Sequence, residues 1–205
     1  MDRVGVGLGR LMGFFGDRNV FPRLRTPPWV RALGVRLYVE GLSLRRVAGI
    51  LGELGFQVSH ESVRDWFQRA GEAFSLVDRR RRGPIAVDET VIRNLVRRAY
   101  LWAAREVMAV QVSRGRGIAE CIRFLEVVRD RCANNPTVYT DRAPWYGWPV
   151  KILGFRRRVE TFGRRNTIES WFSGLKRRIK QFNTCSPTYR PKVSERWIRS
   201  WVALS

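Results

Sequence analysis

The sequence is poor in the two residue types that most often bind zinc or act as nucleophile and base. It contains one histidine, His60, and three cysteines, Cys121, Cys132 and Cys185, which lack the close spacing of a metal site. A Ser-His-Asp or Cys-His site would have to use His60 itself. Because the number of cysteines is odd, a disulfide scaffold is also disfavoured. We therefore expect a reduced, cytoplasmic protein.

Long apolar runs are absent as well. The longest near the start, 4–9 and 11–16, are interrupted by Arg10 and by glycines, and both fall far short of the ~20 residues that cross a bilayer. Asp2 and the scattered glycines are also unlike the apolar core of a secretory signal. The sequence therefore predicts no membrane partner.

Positive charge is the feature present in excess. The chain contains 39 Lys and Arg but only 18 Asp and Glu, which gives a net charge of +21. Of the 39 basic residues, 35 are Arg. This excess favours a polyanionic partner, because both the electrostatic field and counterion release promote binding to phosphate backbones. The chain is also 44% hydrophobic, so it can bury a core. We expect a folded, nucleoid-associated protein that binds double-stranded DNA.

The N-terminal part predicts helices. Residues 1–29 are rich in Gly, Arg and Pro and are expected to form an arm, whereas apolar periodicity predicts helices over 30–40, 44–54 and 60–70. Serines precede the last two helices, and Gly55 between them suits a left-handed turn. The pattern predicts a helix-turn-helix DNA-binding domain over 30–77, or else a helical hairpin that serves only for packing. Its candidate DNA contacts are Ser59, His60, Arg64 and Arg69.

The rest of the chain predicts a mixed sheet covered by helices, an α/β domain over 85–183. A basic linker over 78–84, in which Arg79 and Arg80 are expected to hold phosphates, precedes it, and a basic tail over 184–205 follows. Strands are predicted at 84–92, 99–107, 108–113, 136–140 and 151–153. Helices are predicted at 117–133 and 166–182.

Three carboxylates in apolar settings are the candidate catalytic residues. Asp88 and Asp141 lie in or directly after predicted strands, and Glu169 lies on the predicted helix 166–182. If they converge, oxygen-only ligands favour Mg²⁺ or Mn²⁺ over zinc, and paired ions of this kind serve phosphoryl chemistry. Each has an alternative: Glu89 is an equally placed ligand, Asp141 could cap a turn, and Glu169 has the spacing of a capping box with Asn166.

Four segments together resemble the DDE transposases of prokaryotic insertion sequences, specifically the IS-six group and its archaeal members. Ala86-Val-Asp-Glu-Thr-Val-Ile92 and Val138-Tyr-Thr-Asp-Arg-Ala-Pro-Trp-Tyr146 resemble the first two catalytic motifs. The third motif resembles Arg165-Asn-Thr-Ile-Glu-Ser-Trp-Phe-Ser-Gly-Leu-Lys-Arg-Arg-Ile-Lys180, and the helix-turn-helix resembles 41–51 and 58–66.

The resemblance implies an RNase H-like catalytic fold that cleaves DNA at the ends of the element and joins the freed 3′-hydroxyl to target DNA. It implies that Asp88, Asp141 and Glu169 bind metal, with two Mg²⁺ ions expected, and that Lys176 touches the DNA backbone. We add Arg177 and Lys180 from the same basic motif as DNA contacts. The partners implied are terminal inverted repeats and target DNA, and a homodimer is expected because two ends must be held together.

Two features keep a second interpretation open. Only 52 residues lie between Asp88 and Asp141 and 27 between Asp141 and Glu169, both short for the group. The alternative is therefore a non-catalytic DNA-binding protein, either a regulator or a degenerate transposase. The aromatic cluster Trp145, Tyr146 and Trp148 is likewise open: its rings could stack on a frayed base, or form an apolar plug beneath the site.

Overall fold

The chain forms two compact units in a computed structural model that describes residues 7–17, 20–22, 25–74, 79–93, 98–104, 109–160, 164–180 and 191–204. One unit comprises Met1–Leu76 with Arg196–Ser205, and the other comprises Val77–Glu195. Within these described ranges, every helix is too short or too polar to span a bilayer.

The first unit consists of helices, and the second contains both helices and strands. The helices are α1 (Leu8–Asp17), α2 (Pro28–Val39), α3 (Leu44–Glu53), α4 (His60–Phe74), α5 (Ile118–Asp130), α6 (Gly147–Ile152), α7 (Arg164–Lys180) and α8 (Pro191–Leu204), with a 3-10 turn at Pro144–Tyr146. The strands are β1 (Ile85–Arg93), β2 (Arg98–Ala104), β3 (Ala109–Ser113), β4 (Thr137–Thr140) and β5 (Arg156–Val159).

The helix boundaries of the first unit follow local sequence signals. The Ser43 hydroxyl accepts a hydrogen bond from the Arg46 amide at 3.2 Å, which caps α3. The Ser59 hydroxyl accepts from the Ser62 amide at 3.1 Å at the start of α4, so this candidate DNA contact is a helix cap in the structure. Gly55 has φ +88°, as the left-handed turn requires. The predicted helices at 30–40, 44–54 and 60–70 are thereby confirmed to within a few residues.

The helices α2, α3 and α4 pack against one another. Val47 and Leu51 of α3 and Val63 and Phe67 of α4 are fully buried, at the spacings of three and four that the periodicity predicts. Gly34 on α2 permits close approach, because a Cβ there would lie 3.3 Å from the side chain of Leu51.

The last helix also belongs to this unit from Arg196 onward. The indole N–H of Trp197 donates to the Tyr38 hydroxyl at 2.8 Å, and the Trp197 ring lies 6.0 Å from that of Phe67. Gly71 of α4 meets Ser200 so closely that a Cβ at residue 71 would lie 2.2 Å from the Ser200 Cβ. The first unit is therefore completed by the end of the chain.

The second unit contains one five-stranded sheet in the order β3-β2-β1-β4-β5. The strands β1, β2 and β3 pair antiparallel, whereas β4 is parallel to β1 and β5 is parallel to β4. This order and these directions are those of an RNase H-like domain. The fold class expected from the resemblance is confirmed.

One face of the sheet carries the main core of this unit. Ile85 and Val87 of β1 pack there with Trp102 of β2 and with buried side chains of α5 and α6. The helix α7 lies against β1 and β4. Among the described residues, its buried side chains Ile168, Phe172 and Leu175 do not belong to that core, which places α7 on the opposite face.

One predicted strand is wrong. Residues 151–153 lie at the end of α6 and in the turn after it, and the edge strand is β5 instead. Lys151-Ile-Leu153 resembles a strand in composition, but Pro149 suits the first turn of a helix and Gly154, with φ +76°, ends it. The true strand was concealed by Arg156, Arg157 and Arg158, a run of charges that suits an exposed edge because it discourages pairing with another sheet.

The two ends of the chain are more ordered than their composition suggests. The expected arm 1–29 contains α1, whose buried Leu11 and Phe15 are four residues apart, although glycines dilute the pattern. The expected tail 184–205 contains α8, with Trp197 and Trp201 buried on one face. The predicted helix ends at 181–182 and strand end at 105–107 lie outside the described residues.

Candidate active site

The pairing of β1 with β4 brings two of the predicted carboxylates to neighbouring positions. These strands are parallel, with Ala86 opposite Tyr139. Continued by two residues, the same register sets Asp88 opposite Asp141, which directly follows β4. Asp88 is only 6% exposed. The carboxylate of Asp141, at the end of β4, therefore lies beside the buried carboxylate of Asp88.

Strand alternation separates Asp88 from Glu89. Ile85 and Val87 face the main core, and side chains two residues apart share a face, so Glu89 points toward that core as well. Asp88 lies on the other face of β1, the face against which α7 packs. The alternative that Glu89 is the ligand is thus disfavoured, because Asp88 shares its face with the helix that carries Glu169.

Glu89 instead belongs to a buried polar cluster beneath the site. Its side chain is 4% exposed, accepts a hydrogen bond at Oε2 from the Tyr146 hydroxyl, and lies 3.6 Å from the Arg116 guanidinium. Burial raises the pKa of Glu89, the bond from Tyr146 lowers it, the charges of Asp88 and Asp141 raise it, and Arg116 lowers it. The net effect is a raised pKa for Glu89, mainly because its side chain is buried.

Tyr146 is suited to act as a donor only. It is fully buried, and burial, followed by the charge of Glu89, holds the pKa of its hydroxyl well above the usual range. The hydroxyl therefore keeps its proton and links the end of β1 to the 3-10 turn that follows Asp141. This bond adds a side-chain link to the backbone pairing of β1 with β4, the strands that place the two aspartates.

Asp141 opens a turn that an arginine holds in place. Its Oδ1 accepts from the Ala143 amide at 2.9 Å, so the turn-capping role considered from the sequence is present. Arg157 on β5 donates from Nε to the Thr140 hydroxyl and from Nη2 to the Asp141 carbonyl, both at 2.9 Å. Nη2 also donates to the Ala143 carbonyl at 3.3 Å, so Arg157 holds the Thr140 side chain and the backbone of Asp141 and Ala143.

The third predicted carboxylate is placed near the strands but is exposed. Glu169 lies in the second turn of α7, and since that helix begins at Arg164, Asn166 is inside it and does not cap it. The capping-box alternative is therefore disfavoured. Lys176, two turns further along, and Arg177 are exposed, and the side chain of Lys180 lies outside the described residues.

The structure does not bring all three carboxylates together. In the described part of the chain, no group of three or more His, Cys, Asp and Glu side chains is close enough to hold a metal ion. The donor chemistry nevertheless suits Mg²⁺: the neighbouring Asp88 and Asp141 offer only oxygen, and their combined charge already perturbs Glu89. The aspartate pair fits such an ion, and Glu169 fits by its position on α7.

The three aromatic residues after Asp141 differ in burial, so they differ in which of the two expected roles they suit, an apolar plug or base stacking. Tyr146 belongs to the core, and Trp145 packs against that core with the Arg116 guanidinium 4.4 Å from its ring centroid. Trp148 is 56% exposed. The first two rings therefore form the plug beneath the site, and Trp148 is the ring that a base could reach.

The candidate DNA contacts on α4 are exposed but partly neutralised. His60, Arg64 and Arg69 have half-exposed side chains on this helix. Arg64 pairs with Glu61, and Arg69 pairs with Asp65 at 2.8 Å. Exposed pairs of this type contribute little to stability, so a phosphate could displace the carboxylate at small cost.

Two site residues escaped the sequence analysis for identifiable reasons. Arg116 and Arg157 are two of 35 arginines, and nothing in their local sequence marks them. Their roles arise from the order of the sheet, which brings Arg157 on β5 beside the end of β4, and from the loop after β3, which brings Arg116 to Glu89 on β1. Tyr146 carried a detectable signal, because an aromatic residue five positions after Asp141 suggests support beneath a strand end.

Comparison with known proteins gives relatives of uncharacterized function. No family model matches. The chain is 35% identical over 194 residues to the uncharacterized protein MJ0017 of Methanocaldococcus jannaschii, a match that covers 91% of this chain and 89% of that protein. It is 42% identical over 48 residues to the uncharacterized protein aq_aa24 of Aquifex aeolicus, covering 23% and 40% of the two chains.

Several solved structures have a similar shape at low sequence identity. A chain of the simian T-cell lymphotropic virus intasome in complex with PP2A regulatory subunit B56 gamma matches with TM-score 0.49 and 10% identity, covering 82% of this chain and 67% of that one. The HTLV-2 integrase catalytic core domain in complex with magnesium, in its dimeric form, matches with TM-score 0.44 and 13% identity, covering 61% and 86%.

Proposed function

The chain belongs to the family of the uncharacterized protein MJ0017 of Methanocaldococcus jannaschii, and we propose that it is a DDE transposase that cleaves DNA at the ends of an insertion sequence and transfers the 3′-hydroxyl to target DNA. One observation carries the proposal: a buried aspartate on β1 lies beside a second aspartate at the end of β4, in an RNase H-like sheet, on a chain of charge +21. The four motifs in order support it.

The residues of the chain have distinct tasks in this proposal. Asp88, Asp141 and Glu169 would hold two Mg²⁺ ions, or Mn²⁺, which when bound supply activation of the attacking oxygen and stabilisation of the leaving oxygen at phosphorus. Arg157 holds the turn of Asp141 by its bonds to the backbone and to Thr140. Glu89 and Tyr146 set the spacing between the two strand segments from below.

The DNA-binding residues are proposed on both units. His60, Arg64 and Arg69 on α4 would contact the terminal inverted repeats, with Ser59 as the helix cap beside them. Lys176, Arg177 and Lys180 on α7 would lie along the backbone near the reacting phosphate, and Arg79 and Arg80 would hold phosphates ahead of β1. Such a protein would act on nucleoid DNA as a homodimer, which sedimentation or light scattering would detect.

A second candidate function is non-catalytic DNA binding. The observations that favour it are that Glu169 is exposed and that the described residues contain no group of three His, Cys, Asp or Glu side chains close enough to hold a metal ion. A regulator or a degenerate transposase would keep the basic surface and the helices of the first unit but would need no metal.

Metal-dependent strand transfer distinguishes the two functions. Labelled DNA that carries the native element ends would be incubated with the protein and Mg²⁺, Mn²⁺ or EDTA. We expect joined product only with metal, and its loss in Asp141→Asn and Glu169→Gln. Glu126→Gln on α5 removes one carboxylate elsewhere in the same unit and should leave joining intact. Unchanged DNA binding with no joined product in any variant would favour the regulator.

A further inference from the structure

The arginine run ahead of β1 is built into the second unit, although its composition suggests a free linker. Arg80 pairs with Cys132 in a parallel bridge, and its carbonyl accepts from the Ala133 amide at 2.9 Å. The Asn134 side chain bonds the backbone of Arg82 twice, accepting from its N–H at 2.7 Å and donating to its carbonyl at 2.9 Å. The segment therefore extends the parallel pairing of β1 with β4 beyond the starts of these two strands.

Side chains of the run are also held. Arg79 donates from Nε to the Cys132 carbonyl at 3.1 Å, and Arg82 donates from Nε to the Arg131 carbonyl at 3.4 Å. A guanidinium has further N–H donors beyond Nε. Since these side chains are already ordered, binding a ligand through them costs less conformational entropy than binding through a mobile run.

Arg79 of this run, together with the segment 129–135 that holds the run, borders a polar cleft of about 410 Å³. Its walls include the side chains of Arg79, Arg129, Asn134 and Asn135, with one acid, Asp130. The lining itself carries two Arg and one Asp, a net charge of +1, and four more arginines, at residues 80–82 and 131, lie beside it in the sequence. Guanidinium and amide donors around a positively charged recess suit a phosphate group.

The cleft lies at the opposite end of the strands from the aspartates. It borders the starts of β1 and β4, whereas Asp141 follows the end of β4. Six residues separate Asn135 of the cleft from Asp141, a distance on the order of 20 Å at about 3.3 Å per residue. The cleft therefore lies too far away to contact a phosphate at the two aspartates, but about six base pairs from it along a duplex.

We propose that this cleft is a second DNA-backbone site, which binds a phosphodiester group of duplex DNA other than the one at the aspartates. It rests on DNA being the partner, as in the proposed function, but does not require catalysis. The ordered arginines fix where the duplex crosses the starts of β1 and β4, so the site positions DNA and does not read its sequence.

Salt-dependent binding of a labelled duplex to the full chain tests the site. Removing both cleft arginines, Arg79→Ala with Arg129→Ala, should weaken binding about tenfold and reduce the slope of log K against log [salt] by about one. The matched control removes two exposed arginines elsewhere in this unit, Arg114→Ala with Arg123→Ala. Equal losses in both double variants would overturn the proposal, because charge alone would then explain binding.

Two further experiments distinguish a site that depends on ordered arginines from binding that depends on positive charge alone. Asn134→Ala keeps every arginine but releases the run, so affinity should fall severalfold with circular dichroism unchanged; wild-type affinity would overturn the proposal. Inorganic phosphate at millimolar concentration and constant ionic strength should not displace the duplex, and displacement would assign the cleft to a small anion. Failure of strand transfer with these binding results intact would reject the transposase and leave the cleft standing.

Discussion

Replacement of Tyr146 by Phe tests whether the bond beneath the site supports the fold. The substitution removes one hydroxyl and keeps the ring, so no cavity forms in the core. It leaves Glu89 Oε2 without the donor it has in the structure, in a side chain that is 4% exposed. Arg116 is the ionic contact that remains, at 3.6 Å and itself 42% exposed, so solvent screens its compensation.

The expected loss follows from these contacts. Hydrogen bonds to charged groups contribute roughly 1.5–3 kcal/mol when buried, and the exposed Arg116 offsets little of that. We expect Tyr146→Phe to lower the free energy of unfolding by about 2 kcal/mol. The matched control is Tyr100→Phe, a half-buried tyrosine on β2 whose ring contacts the same Arg116; its change should stay within about 0.5 kcal/mol.

Urea unfolding followed by tryptophan fluorescence measures both variants, and the midpoint should fall in Tyr146→Phe without a change in slope. A double-mutant cycle with Glu89→Gln isolates the pair. A loss no larger than that of Tyr100→Phe, or a coupling near zero in the cycle, would refute the reasoning that this bond joins the segments of the two aspartates.

Three other perturbations have definite expected outcomes. Gly71→Ala should destabilise the protein by about 1–3 kcal/mol in thermal unfolding, because its Cβ would collide with α8, whereas Gly49→Ala on the open face of α3 should be neutral or stabilising. In a Cys185→Ser background the two remaining thiols, Cys121 and Cys132, are both buried. Burial, and then the charge of Glu89, raises the pKa of Cys121 to about 12, and burial also raises the pKa of Cys132. Neither thiol should therefore react with Ellman's reagent at pH 8 until the protein is unfolded, and rapid labelling of the native protein would contradict their burial. Arg157→Lys should slow strand transfer about tenfold through the lost fork on the Asp141 turn, while duplex affinity, read by anisotropy, should change less than twofold.

Much of the fold could be predicted because its signals are local. Ser43, Ser59 and Gly55 mark helix ends through their own hydrogen bonds and backbone angles, so the helices at 44–54 and 60–70 were placed to within a few residues. The sheet core could be predicted for the same reason, since apolar runs before Asp88 and Asp141 fill buried strands. Such features depend on neighbours in sequence.

Features that depend on distant segments could not be predicted. The strand β5 consists of arginines whose strand character comes only from pairing with β4, and residues 151–153, apolar enough for a strand, are held in a helix by Pro149 and Gly154. Likewise, the run at Arg79–Arg82 appeared to be a linker because nothing near it in sequence shows that Asn134, 52 residues away from Arg82, bonds its backbone. The convergence of Glu169 with the two aspartates stays a prediction.

The contribution of α8 to the first unit has a consequence for synthesis. Helices α1 to α4 are synthesised before the second unit, yet the surface that receives Trp197 and Ser200 stays uncovered until residues 196–204 have been made. Domains usually fold in the order of their synthesis, whereas here the second unit is interposed and can complete its sheet before the first unit is covered. A chain truncated before residue 196 would therefore combine a finished sheet with an open helical unit, and would expose apolar surface to chaperones and proteases.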